Sequence, residues 1–307
     1  MIRLSNIKLA LDHDDQALPH AILSTLGITA EQLINFNMYR RGYDARKKSN
    51  IFLIYTLDIE VATELEAELL IKFADDQLIK QTPDLDYHYV AQAPAELTER
   101  PIIIGFGPCG LLAGLTLAQM GYNPIILDRG KEVRERTKDT FGFWRQKKLN
   151  TESNVQFGEG GAGTFSDGKL YSQVKDPKQY SRKVLTEFVA SGAPDEIMYV
   201  SKPHIGTFKL VSMVEKMRAE IIRLGGEIRF SSRVDDLDIE KTGEGDEVRQ
   251  RITGLTLSTG EKLISNHIGL AIGHSARDTF EMLYNKGVYI EAKPFSIGFR
   301  IEHEQST

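Results

Sequence analysis

Pro101-Ile-Ile-Ile-Gly105-Phe-Gly107-Pro108-Cys109-Gly110 sets three glycines at GxGxxG spacing directly behind a run of isoleucines. That run predicts a short buried strand. The residues after it predict a helix that turns Leu111, Leu112, Leu115, Leu117 and Ala118 toward a core. In such a setting each glycine has its own task. Gly105 permits the tight turn, Gly107 lets a pyrophosphate approach bare backbone, and Gly110 allows close helix-strand packing. The helix N-terminus adds unpaired N–H groups and partial positive charge. Gly121 closes the helix, and Pro124-Ile-Ile-Leu-Asp128 predicts a second parallel strand. It ends in a carboxylate about twenty residues past the motif, placed to accept hydrogen bonds from ribose hydroxyls and to disfavour a 2′-phosphate, hence NADP. Strand, glycines, helix and acid agree on a dinucleotide-binding, Rossmann-type unit.

Composition narrows the setting. The 307 residues are 41% hydrophobic and 26% charged, enough for a sizeable core and two domains, and the net charge of -5 gives no overall basic field for a nucleic-acid backbone. Cys109 is the single cysteine, which rules out an intrachain disulfide and a CxxC electron shuttle. In the glycine turn it reads as a small packing residue. Arg100 to Asp128 has no charge between its ends, yet Gly105, Gly107, Pro108, Gly110, Gly114, Gly121 and Pro124 divide it into strand, turn, helix and strand. No membrane span is expected there. The apolar stretch before Asp12 is too short for a secretory signal, and the expected location is cytoplasmic.

A separate module is expected over residues 1–97, ahead of a dinucleotide-binding domain over 98–307. Its strands are read at Ile2 to Leu11, Asn35 to Arg46, Ile51 to Ile59 and Asp86 to Ala91, with helices from Gln16 to Leu26 and from Thr63 to about Ala74. That βαββαβ order predicts a small α+β, ferredoxin-like domain, which identifies no function. Arg40, Arg41, Arg46, Lys47 and Lys48 crowd one hairpin as a candidate RNA patch, but residues 1–95 hold nine Lys/Arg against fourteen Asp/Glu. Nucleic acid is therefore not the expected partner. Gly243-Glu-Gly245-Asp246 reads as a hairpin turn, and Ile252 to Leu257 pairs with Lys262 to Ile264 in a β-meander. Thr207 to Leu224 has helical spacing, with Trp144, Phe208, Met213 and Met217 expected in the core.

Taken whole, IIIGFGPCGLLAGLTLAQMGYNPIILDRG resembles the ADP-binding unit of glutathione-reductase-like flavoproteins, with Gly107-Pro108 and Asp128-Arg129-Gly130 the telling pieces. A second run, Phe157-Gly-Glu-Gly160-Gly161-Ala162-Gly163-Thr164-Phe-Ser-Asp-Gly-Lys169, resembles the loop that these proteins bring against pyrophosphate and isoalloxazine. Its successive N–H groups suit an anion nest. Lys169 is a candidate positive charge beside a reduced flavin. Gly226 to Val234 resembles the superfamily's third parallel strand, which implies that Val234 offers backbone to adenine. His267-Ile-Gly-Leu-Ala271-Ile-Gly273 matches the second glycine motif after a buried strand.

The whole chain is similar to bacterial FAD-dependent proteins labelled NAD(FAD)-utilizing dehydrogenases, from Asp44-Ala-Arg-Lys47 through Lys293-Pro-Phe-Ser-Ile-Gly-Phe-Arg300. The resemblance implies bound FAD, NAD(P)H as a candidate electron donor, and an oxidoreductase acting on a small molecule that the sequence does not name. Family members are considerably longer and return to a last glycine-aspartate motif. The resemblance therefore implies a truncation in a substrate-facing region near 293–307, with weakened FAD retention. His204, His274 and Arg300 are the nearest acid-base or anion-binding candidates. The alternative reading is a non-catalytic flavin- or nucleotide-binding module, RNA-associated through Arg40 to Lys48.

Overall fold

The structure is a computed structural model that describes residues 1–48, 50–172, 174–242, 249–294, 297–298, 301 and 303–306. Its first part runs β1 (Ile2–Ala10), α1 (Ala17–Leu26), β2 (Asn35–Asp44), β3 (Phe52–Glu60), α2 (Thr63–Lys72) and β4 (Ile79–Gln81). The sheet order is β2-β3-β1-β4, antiparallel throughout. Alternate residues of β1 and β3, among them Ile2, Leu4, Leu57 and Ile59, pack with Ile22 and Leu26 of α1 into one core. Gly27 adopts φ +69 and donates its N–H to the Leu23 carbonyl at 2.8 Å, stopping α1 as its position predicts.

The last strand lies elsewhere than the sequence suggests. Ile79 pairs with Leu4 and is buried, whereas residues 86–91 form no strand. The alternation of Tyr87, His88 and Tyr89 imitates a strand because both tyrosine rings lie near the Lys183 ammonium, at 5.4 and 5.1 Å. They are held by a cation and not by a sheet.

Beyond residue 100 come β5 (Ile102–Ile104), α3 (Pro108–Gln119), β6 (Ile125–Leu127), α4 (Val133–Gln146), α5 (Tyr180–Ala190), α6 (Thr207–Arg223) and β7 (Glu227–Arg229). The meander β8 (Val234–Thr242), β9 (Arg249–Leu257) and β10 (Lys262–Ile264) follows, then β11 (Ile268–Leu270) and α7 (Arg277–Asn285). A parallel sheet forms in the order β11-β5-β6-β7, beside a three-stranded antiparallel sheet. Ile103 and Ile126 face the core built by α3 and α6, while Ile102, Ile104, Ile125 and Leu127 face the meander and α7. Both faces are covered, which is why these strands read as unbroken apolar runs. β11 is different: as the edge strand it leaves Leu270 44% exposed, so it is not the buried strand expected there.

Two aromatics expected in the core are on the surface. α6 buries Leu210, Met213, Val214, Met217 and Ile221, a stripe that Phe208 does not join; it is 93% exposed. Trp144 is 54% exposed and packs edge-on to Phe141 and Phe165. Phe208→Ser is accordingly expected to change unfolding free energy by no more than about 0.5 kcal/mol, read from urea denaturation. A large loss would place the ring in a packed environment. The Gly243 to Asp246 turn and residues 295, 296, 299 and 300 lie outside the described residues, although Thr242 and Arg249 pair across the former. Among the described residues no helix is long and apolar enough to cross a membrane.

Candidate functional site

The glycine turn is built by close approach. Gly105 lies at φ +104, and a Cβ there would press into the Ala271 carbonyl, 2.8 Å from its carbon. At Gly110 a Cβ would collide with the Gly105 carbonyl oxygen and stand 2.9 Å from its carbon. Neither position admits a side chain. Pro108, at the first position of α3, has no N–H to leave unpaired, and Gly107 is the residue that caps the helix.

The second glycine run closes on the first. Gly160 donates its N–H to the Phe106 carbonyl at 2.8 Å, and Gly161 takes φ +62. A Cβ on Gly161 would sit 2.9 Å from Pro108 Cδ and 3.0 Å from Gly107 Cα. Between the runs opens a cleft of about 590 Å³. Gly105, Gly107, Pro108 and Cys109 line one side, Gly161, Ala162 and Gly163 another, and Asp128, Arg129, Val234, Ala271 and Gly273 the rest. Gly110, Gly160 and Thr164 are buried behind this surface, where they support the turns.

Asp128 is almost wholly buried. Its Oδ2 accepts the Phe106 N–H at 2.8 Å and its Oδ1 the Gly130 N–H at 2.7 Å, so the carboxylate braces the glycine turn. Each oxygen keeps a further lone pair for a ligand hydroxyl. Burial pushes this carboxyl above its ordinary range, against the two amides and the nearby Arg136 and Arg129 guanidinium groups. Arg129 is already engaged, with Glu152 at 2.8 Å and in a two-pronged pair with Asp278 at 2.9 and 2.7 Å.

Sequence reading missed what stands behind the loop. Arg136 is fully buried and donates to the carbonyls of Asn154, Glu159 and Val155 at 2.7, 2.6 and 2.6 Å. Glu159, also fully buried, accepts the Val133 N–H at 2.7 Å and caps α4 from outside. The available signal was Arg136 on the same helical stripe as Val133 and Thr140, a charge where burial was due.

The remaining candidates scatter. His274 lines the cleft. Lys169 is exposed, 3.6 Å from Asp167, its backbone pairs with His204 in an isolated antiparallel bridge, and it is not among the residues that line the cleft. Arg300 lies outside the described residues. Of the basic hairpin, Arg46 is held by Asp44 at 2.8 Å. Among the described residues no three His, Cys, Asp or Glu are grouped to hold a metal.

Residues 1–60 match a domain of unknown function, DUF8436. An uncharacterized protein of Clostridium beijerinckii is 40% identical over 304 residues, 99% of this chain and 54% of that protein. The chain thus spans about half the length of the curated relative it matches. Among solved structures, THI4 of Thermovibrio ammonificans is 16% identical with a TM-score of 0.41, over 75% of this chain and 73% of that one. The 3-ketosteroid-delta4-(5alpha)-dehydrogenase of Rhodococcus jostii RHA1 is 13% identical with a TM-score of 0.34, over 59% and 48%.

Proposed function

We propose that the cleft between the two glycine runs binds FAD and that the protein is an FAD-dependent oxidoreductase acting on a small molecule. The observation that carries this reading is the approach of Gly161 to within contact of Gly107 and Pro108 at the N-terminus of α3, which brings two sets of backbone amides to one cleft. The residues fit the group. Gly163 and Gly273 line the cleft, and a Cβ at either would meet nothing within 4 Å, so the space beside bare backbone is open.

The chain's own part is binding and orientation. Amides at the start of α3 and in the second run face a diphosphate, assisted by the helix dipole. The spare lone pairs of Asp128 receive ribose hydroxyls, and Val234 borders the end of the cleft that the flavoprotein resemblance gives to adenine. When bound, FAD supplies hydride or electron transfer, with NAD(P)H as the proposed donor. In this reading residues 1–97 are a ferredoxin-like domain, residues 98–307 the cofactor domain, and the location is cytoplasmic.

Gly163→Val tests the assignment, because the protein around it accommodates the side chain while the ligand does not. Fluorescence titration is expected to show FAD binding weakened at least about tenfold with the melting temperature unchanged. Equal affinity in the variant, or FMN binding as tightly as FAD, would remove the ADP half from this cleft.

A further inference from the structure

A second concavity, of about 960 Å³, shares no lining residue with the dinucleotide cleft. Its walls are β2, the segment leading from Leu170 into α5, and residues 197–203. Main-chain bonds tie these walls together. Arg41 donates its N–H to the Tyr199 carbonyl at 2.6 Å, and Ser201 donates to the Arg41 carbonyl at 3.0 Å. The size falls within the range of about 300–1,000 Å³ usual for small-molecule sites.

Charge on these walls is one-sided. Arg40, Lys175, Lys178, Arg182 and Lys202 line the concavity against a single acid, Asp176. That acid is occupied, accepting the Tyr180 and Ser181 N–H groups at 2.9 and 2.7 Å to start α5. Arginines elsewhere, such as Arg100, Arg134, Arg223 and Arg229, are each ion-paired. Among the described residues none of the five cations here is. In a chain of net charge -5 this is a local positive field.

Arg182 is the best-placed member. Its Nη1 donates to the Met198 carbonyl at 2.7 Å, which fixes the guanidinium; among the described residues it makes no ion pair, and the Asp58 carboxylate that acts on it at longer range is held by Arg3 at 2.8 Å. Rings alternate with cations around it. Arg182 lies 5.4 Å from the Tyr39 centroid, Lys202 5.4 Å from Tyr171 and Lys178 5.8 Å from Tyr180. Leu185, Phe188 and Ile197 supply an apolar floor.

We propose that this concavity is a binding site for a small organic anion with a flat apolar body. Arg182 and the rim lysines receive its carboxylate or phosphate, and the tyrosines and the apolar floor receive the body. A long polyanion fits less well, because the chain beyond the concavity repels it while a small anion meets only the local field.

The probe is 8-anilino-1-naphthalenesulfonate, titrated by fluorescence into the native chain with and without excess FAD. Single-site saturation, unaffected by FAD, is expected. Affinity should fall on the order of tenfold in Arg182→Met and in the double variant Lys178→Gln, Lys202→Gln, while the uncharged N-phenyl-1-naphthylamine binds all three proteins equally. The double variant alters exposed side chains, so it carries the test even if Arg182→Met does not fold. Competition by 1-naphthoate against 1-naphthyl phosphate then shows which oxyanion is preferred. Displacement by FAD, equal affinity in both variants, or displacement by single-stranded oligoribonucleotides with an affinity that climbs with length would each overturn the assignment.

Discussion

Gly110→Ala is expected to lower unfolding free energy by about 3 kcal/mol or more, read from urea denaturation. The new Cβ would collide with the Gly105 carbonyl oxygen, and Ala271 Cβ waits 3.3 Å away on the other side. Backbone is the obstacle, so no rotamer change relieves it. Gly114 supplies the graded comparison: its Cβ would strike Ile126 Cδ1, the far end of a flexible side chain, and Gly114→Ala is expected to lose only about 1–2 kcal/mol. Gly142, inside α4 with nothing within 4 Å, supplies the opposite sign, since alanine there gains about 0.5–1 kcal/mol of helix propensity. If Gly110→Ala unfolds at the same urea concentration as Gly142→Ala, the helix does not pack on the turn as described. The order of the three variants tests the geometry more sharply than any one of them.

The same glycines explain why this part of the fold was legible. A GxGxxG motif reports contacts between residues only a few positions apart, so strand, turn and helix could be placed before any tertiary neighbour was known. The parallel partner β6 followed from its apolar run, and the meander from its paired strands. Where the deciding contact was distant, the reading failed. Residues 86–91 alternate like a strand, but Ile79 is the residue that meets β1, and Tyr89 instead accepts a hydrogen bond from Lys183 at 2.9 Å. Phe208 reads as core by type, although the stripe through Leu210, Val214, Met217 and Ile221 excludes it. Of the site residues read from the sequence, Gly110, Gly160 and Thr164 stand behind the cleft and the others border it, whereas Arg136 and Glu159 are not read as its support. Their buried partners are carbonyls and amides, which carry no mark in a sequence.

Between pH 4.5 and about 7 the wild-type chain is expected to lose about 3 kcal/mol of stability that Glu159→Gln retains, followed by thermal or urea unfolding across that range. Burial pushes the Glu159 carboxyl from its ordinary 4.5 up to about 7. The Val133 amide and Arg218 oppose that push, and Glu132 and Glu215 add to it. Arg218 compensates only in part, since its Nε stands 3.4 Å from Glu159 Oε1 while its Nη1 is paired with Glu132 at 2.6 Å. Glu159 Oε1 has no hydrogen-bond partner among the described residues. Over this window the folded chain holds a proton that the unfolded chain has released, so stability falls as pH rises and levels off above the folded value. Glutamine keeps an acceptor for the Val133 N–H and has no proton to lose, so its profile should lack this slope. A variant profile parallel to that of the wild type would mean that Glu159 is ionised throughout, with Arg218 outweighing burial. The slope also bears on the cleft, because Glu159 donates its own N–H to the Lys131 carbonyl at 3.1 Å and precedes the Gly160 amide that holds the second glycine run to Phe106. Loosening it with rising pH weakens the brace behind the proposed flavin contacts, so FAD affinity should decline over the same interval in the wild type and stay level in Glu159→Gln.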